Sequence, residues 1–138
     1  MQKDELLEWQ RWGKNNHDLF KDLKPGSRVG FLSKEDLDQP QGRVVVLEVG
    51  RQGLDVYYLP FTGMRQLAVD VLFVAESEIL AQIKETSATH EGGRLFRQLL
   101  SLGQIHFYYL AKAKDLMRKG FMELFSNLGL ESLGGCVN

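Results

Sequence analysis

One cysteine, Cys136, stands in the 138 residues, so no disulfide can form within a chain and no thiolate metal site can be assembled in it. That usage fits a reducing compartment, and a cytoplasmic location is the expectation. An excess of one charge is lacking too. With 17 Lys and Arg against 18 Asp and Glu, the formal net charge is -1, which gives no overall pull toward nucleic acid or an anionic membrane. Long hydrophobic runs are also missing. Val71 to Ala75 and Phe107 to Ala111 fall far short of the roughly 20 residues a membrane-spanning helix needs, and no membrane span is predicted. The opening Met-Gln-Lys-Asp-Glu-Leu-Leu-Glu-Trp has neither the basic start nor the apolar run of a secretory signal. Cys136-Val-Asn is one residue short of a prenylation box.

Catalytic constellations are absent as well. His17, His90 and His106 lie in separate segments without a second ligand at helical spacing. The acid pairs Asp4 and Glu5, Asp36 and Asp38, and Glu76 and Glu78 fall in loops or at helix starts, where solvation and helix-start charge account for them. Ser77, Ser101 and Thr62 have no nucleophile elbow, and Gly92-Gly93 does not begin a phosphate-binding fingerprint. The expectation is a protein that is not an enzyme and holds no metal or cofactor.

What is present is an ordinary globular composition, 43% hydrophobic and 25% charged, in a chain long enough for one domain. Leu6, Leu7, Trp9, Trp12, Leu19, Phe20 and Leu23 recur at helical spacing and predict an N-terminal amphipathic helical segment over residues 1–23. Lys24-Pro25-Gly26-Ser27 stops it. Residues 24–75 read as strands: 28–33, then 42–49, β-branched and apolar at both parities and so the expected central strand, then 54–59 across the Gly50-Arg51-Gln52-Gly53 turn, then one bent strand or two over 64–75. Short strands joined by tight turns predict a small antiparallel β-barrel.

Residues 76–129 read as helical, with a hinge at 86–93 and a long C-terminal helix from Arg94 to Gly129. In it Leu95, Leu99, Leu102, Tyr109, Ala113, Leu116, Phe121, Leu124 and Leu128 form one stripe, widened by Phe96, Leu100, Phe107, Leu110, Met117 and Phe125. Such a helix calls for partners on two faces, hence a homo-oligomer, dimer or tetramer, or another protein. Residues 130–138 read as a flexible tail. Lys112, Lys114, Arg118 and Lys119 could serve a nucleic-acid-binding module, but Asp115 and Glu123 interrupt them, and a solvated face is the preferred reading. The fold class expected is α+β, a small barrel between an N-terminal helix and a long C-terminal helix. The leading function is a cytoplasmic adaptor or regulator that works through protein–protein binding.

The hairpin Glu48-Val49-Gly50-Arg51-Gln52-Gly53-Leu54-Asp55-Val56 resembles that of the PilZ family, small barrels that bind cyclic di-GMP. Glu48 stands where that family prefers Asp or Asn, Gly50 replaces its serine, Gly53 is retained, and Lys24 and Arg28 match its paired arginines. The resemblance implies a degenerate cyclic di-GMP receptor whose ligand contacts are Lys24, Arg28, Glu48 and Gly53. The strands from Pro25 to Leu59 are also similar to Tudor-like regulatory barrels, which bind peptides, nucleic acids or neighbouring domains.

Overall fold

The computed structural model describes residues 2–39, 41–87 and 92–130. Pro40, residues 88–91 of the predicted hinge with His90, and the 131–138 tail with Cys136 lie outside the described residues. Five strands make one mixed sheet: β1 (Arg28–Ser33), β2 (Arg43–Val49), β3 (Leu54–Pro60), β4 (Val71–Ala75) and β5 (His106–Tyr109), in the order β3-β2-β1-β4-β5. The β2–β3 hairpin forms as its turn chemistry predicts, with Val49 opposite Leu54 and Arg43 opposite Pro60.

The barrel does not form. Strands β3 and β5 are the two edges of an open sheet. The cause is the chain between β3 and β4. It crosses the sheet instead of turning back, so β4 lies parallel to β1, from Val29 beside Val71 to Ser33 beside Ala75. The central strand is therefore β1, not residues 42–49. Every residue of β4 is buried, as a strand covered on both faces requires.

Alternation divides the sheet's side chains between two cores. One face carries Phe31, Val45, Leu47, Phe73 and Phe107 against the helices. These are α1 (Gln2–Asn15), α2 (His17–Phe20), α4 (Ser77–Glu85), α5 (Gly92–Ser101), α6 (Ala113–Arg118) and α7 (Phe121–Asn127); a short α3 (Lys34–Leu37) follows β1. Trp9 of α1 stacks on Phe31 at 4.6 Å, and Trp12 meets Phe20, Phe31 and Phe96 edge-on at 5.7, 5.8 and 5.4 Å. The other face carries Leu32, Val44, Val46, Leu72 and Val74. It is covered by Phe61, Leu67 and Val69 of the β3–β4 connection, whose only regular element is the short 3-10 turn Met64–Gln66. Helices thus cover one side and a strap of chain the other.

The long C-terminal helix does not form either. Gly103 takes φ +76°, and the amides of Gly103 and Gln104 turn back to the carbonyls of Leu100 and Leu99 at 3.1 and 3.0 Å, ending α5 in a left-handed cap. The aromatic run after it becomes β5, paired with β4 from His106 beside Val74 to Tyr109 beside Val71. Gly120, at φ +90°, separates α6 from α7, and a Cβ there would run into the Asp22 carbonyl oxygen. Leu99, Phe107, Leu116, Phe121, Leu124, Phe125 and Leu128 are all buried in this chain's own core. Much of the apolar surplus is thereby absorbed within the chain, while Leu102 and Met117 of the same stripes stay exposed.

Candidate functional site

A cavity of about 210 Å³ opens at the end of the sheet where β1 finishes and β2 begins. Helical and strand periodicity place its walls. Glu5 and Trp9 are four apart on α1, as are Leu80 and Lys84 on α4, so each helix presents one apolar and one charged residue. Phe31 with Ser33 and Arg43 with Val45 alternate onto the same sheet face. Trp9, Phe31, Val45 and Leu80 are buried and make the apolar wall.

The polar wall is bonded to itself. Lys84 Nζ lies 2.6 Å from Glu5 Oε2, and the Tyr58 hydroxyl donates to Glu5 Oε1. The Arg43 guanidinium sits over the Tyr58 ring, 4.3 Å from its centroid. At the mouth, Glu35 accepts from the backbone and hydroxyl of Ser77 at 3.1 and 2.8 Å, tying α3 to the start of α4. Ser33 caps α3 by accepting from Asp36 N–H at 3.3 Å.

Burial acts to raise the Glu5 pKa, but hydrogen bonds from Lys84 and Tyr58 with the charges of Lys84 and Arg43 outweigh it, and the carboxyl titrates below its ordinary range. Burial and the bond to Glu5 push the Tyr58 phenol up to about 12. Both groups are moved away from neutrality, opposite to the tuning of a general acid or base.

The residues predicted from the hairpin are placed differently. Arg28 Nε donates to Glu48 Oε1 at 3.0 Å, Arg28 Nη1 to the Ala68 carbonyl at 3.1 Å, and the Tyr57 hydroxyl to Glu48 Oε1 at 2.6 Å. The Tyr57 bond chiefly, then Arg28, outweigh burial and hold the Glu48 carboxyl below its usual range. Lys24 is exposed, and its backbone N–H donates to the Lys119 carbonyl at 3.0 Å. Gly53 closes the hairpin turn by accepting from Gly50 N–H at 2.7 Å. The structure joins Arg28 to Glu48 and bonds neither Lys24 nor Gly53 to that pair.

Sequence reasoning passed over Arg43, Tyr58 and Lys84 and read Glu5 only as a helix-start charge beside Asp4; the four residues span four elements. A signal existed in part: Glu5 and Lys84 are charges on the same helix faces as the core residues Trp9 and Leu80. Of the histidines, His17 lies 3.6 Å from Asp18 at the surface and His106 is exposed on β5. Among the described residues, no group of three or more His, Cys, Asp or Glu could hold a metal ion, and no helix is long and apolar enough to cross a membrane.

No protein-family model matches the chain, and no curated protein does. Among solved structures, a conserved hypothetical protein from Thermus thermophilus, described as "possibly sterol carrier protein", is similar over 93% of this chain and 85% of its own, at 12% identity and TM-score 0.50. A UbiJ-SCP2 ubiquinone synthesis protein is similar over 93% of this chain and 88% of its own, at 14% identity and TM-score 0.45. The PilZ resemblance and the Tudor-like alternative are corrected by the sheet, because both barrel families require a closed sheet and this sheet is open with a parallel β1–β4 pair, and the cyclic di-GMP reading loses the resemblance it rested on. What the chain shares with the Thermus thermophilus protein is its fold.

Proposed function

We propose that the chain is a non-enzymatic binding module that takes the apolar end of a small amphipathic ligand into the cavity between α1, α4 and the sheet. The observation that carries this reading is the division of the cavity into an apolar wall of Trp9, Phe31, Val45 and Leu80 and a charged rim that includes Arg43 and Lys84. Its volume of about 210 Å³ is below the roughly 300–1,000 Å³ of pockets that enclose a whole drug-sized ligand. It suits one ring or a short acyl segment, with the polar end of the ligand left at the rim. The self-satisfied Glu5, Lys84 and Tyr58 cluster favours binding over catalysis. The description of the Thermus thermophilus protein as a candidate sterol carrier points toward the same ligand class.

The test follows Trp9 emission in a Trp12→Phe background during titration with decanoate. Saturable change is expected. Val45→Phe, which fills the cavity, should abolish it, and Arg43→Ala, an exposed change, should weaken it while leaving the melting temperature in place. No saturable change, or a change that both variants retain, sinks the reading.

Binding of another protein, including a second copy, is a second reading. Leu102, Met117 and Met122 are 62%, 64% and 44% exposed, and exposed methionines suit adaptable protein contacts. Light scattering of the wild type and of Met117→Asp with Met122→Asp tests it. A wild type that is already monomeric ends its homo-oligomeric form.

A further inference from the structure

A second hollow lies at the opposite end of the sheet, under the β2–β3 turn. Its volume is about 310 Å³, with carbon supplied by Phe20, Leu23, Pro25, Val49 and Leu54 and nitrogen by His17, Lys21 and Arg51. Among the described residues no carboxylate lines it. A neighbouring hollow of about 440 Å³ on the α1 side shares Gly50, Arg51, Gly53 and Leu54 and adds Lys14 with Asp55. Arg51 therefore stands on the ridge between two concavities.

The turn itself offers donors. Gly50 N–H is used to close it, whereas the amides of Arg51, Gln52 and Gly53 have no acceptor among the described residues. At Gly53, nothing lies within 4 Å of the place a Cβ would occupy, so a ligand can approach this backbone closely. His17 already faces Asp18 at 3.6 Å, which leaves Lys21 and Arg51 as the hollow's cations without an ion-pair partner among the described residues. Two cations, free amides, an apolar floor and no lining acid select a negative group attached to carbon.

We propose that this hollow is a second binding site, for a small anion with a short apolar body: a carboxylate or phosphate monoester whose acidic group meets Lys21, Arg51 and the turn amides while its carbon lies on Phe20, Leu23 and Leu54. The same chemistry is presented by a free metabolite and by the headgroup of an anionic lipid. The site is independent of the cavity lined by Trp9, and the two are read by different signals, Trp9 emission for the one and the Gly50 and Gly53 amides for the other.

The experiment is a titration of nitrogen-15-labelled protein with octyl phosphate, following the amides of Gly50 and Gly53. Saturable shifts are expected, and octanol at equal concentration should not reproduce them. Lys21→Ala with Arg51→Ala should weaken binding at least about tenfold, the loss of one good charge-assisted hydrogen bond. Lys34→Ala, at the far end of the sheet, should leave it unchanged. All three side chains are exposed, so the variants keep the core intact. Sedimentation with vesicles separates the two sources. Pelleting with phosphatidylglycerol but not phosphatidylcholine, lost in the double variant, assigns a lipid headgroup; octyl phosphate binding without pelleting assigns a free anion. Absence of shifts at millimolar octyl phosphate, equal shifts with octanol, or full binding by the double variant overturns the proposal.

Discussion

Tyr57 and Tyr58 are neighbours in β3 that point to opposite faces of the sheet. Each donates its hydroxyl to a carboxylate, Glu48 on the strap side and Glu5 on the helix side. Burial first, then these bonds, push both phenols up to about 12. An unfolded tyrosine ionises near pH 10, so the stabilisation these groups give is fully present below about pH 10 and is lost as pH climbs toward about 12. An ultraviolet titration of the four tyrosines is expected to show two of them ionising near pH 12, and Tyr58→Phe to remove one of those. A Tyr58→Phe variant that removes a phenol ionising near pH 10 instead would mean that the bond to Glu5 does not persist in solution. A second residue-scale prediction separates core from surface. Leu116 is 2% exposed and Leu102 is 62% exposed. In urea unfolding, Leu116→Glu should cost more than about 3 kcal/mol, whereas Leu102→Glu should stay within about 0.5 kcal/mol of wild type. Composition made both leucines look alike; only the broken helix distinguishes them. Arg28 and Glu48 were each read as a contact of a bound nucleotide, Arg28 beside Lys24, and nothing in the sequence says that they neutralise each other across β1 and β2.

Among the elements, the β2–β3 hairpin was the most legible, because alternation and a glycine-bounded turn are local signals. The C-terminal region was not. Leu95, Leu99 and Leu102 keep helical spacing into residues 106–109, and aromatic residues fit either a helix stripe or a buried strand. The deciding feature is the left-handed conformation of Gly103, which a sequence reading can admit as a bend as readily as an ending. Gly120 makes a sharper case. Its φ of +90° and the Asp22 carbonyl beside it leave no room for a side chain. Lys24 N–H meanwhile bonds to the Lys119 carbonyl at 3.0 Å, holding the turn before β1 against the same junction. Gly120→Ala is expected to destabilise by about 2–4 kcal/mol through positive φ and displaced backbone, measured as a lowered urea midpoint. A midpoint within error of wild type would show that the α6–α7 junction is loose.

For the whole molecule, the order of the strands was the least legible feature, since it depends on how far residues 61–70 travel. A short turn there would have set β4 beside β3 and favoured closure. As a strap, the segment carries β4 past two strands and buries Phe61, Leu67 and Val69 on the way. The candidate cavity was hidden for the same reason, as its polar wall is assembled from residues as far apart as Glu5 and Lys84. The asymmetric covering of the sheet makes a global prediction. With α1 removed, Phe31 loses both Trp9 and Trp12, and Phe96 loses Trp12. A chain beginning at residue 17 should keep much of its far-ultraviolet dichroism, lose its near-ultraviolet signal and bind a hydrophobic dye. A cooperative, dye-free transition would show that α1 is dispensable. The position of α1 also bears on synthesis. Trp12 leaves the ribosome well before one of its ring partners, Phe96, a residue translated 84 positions later. During the seconds that ribosomes need for that interval, two large indoles travel on the nascent chain without their final neighbours, and the N-terminal helix has to wait for the C-terminal half before it has a place to dock.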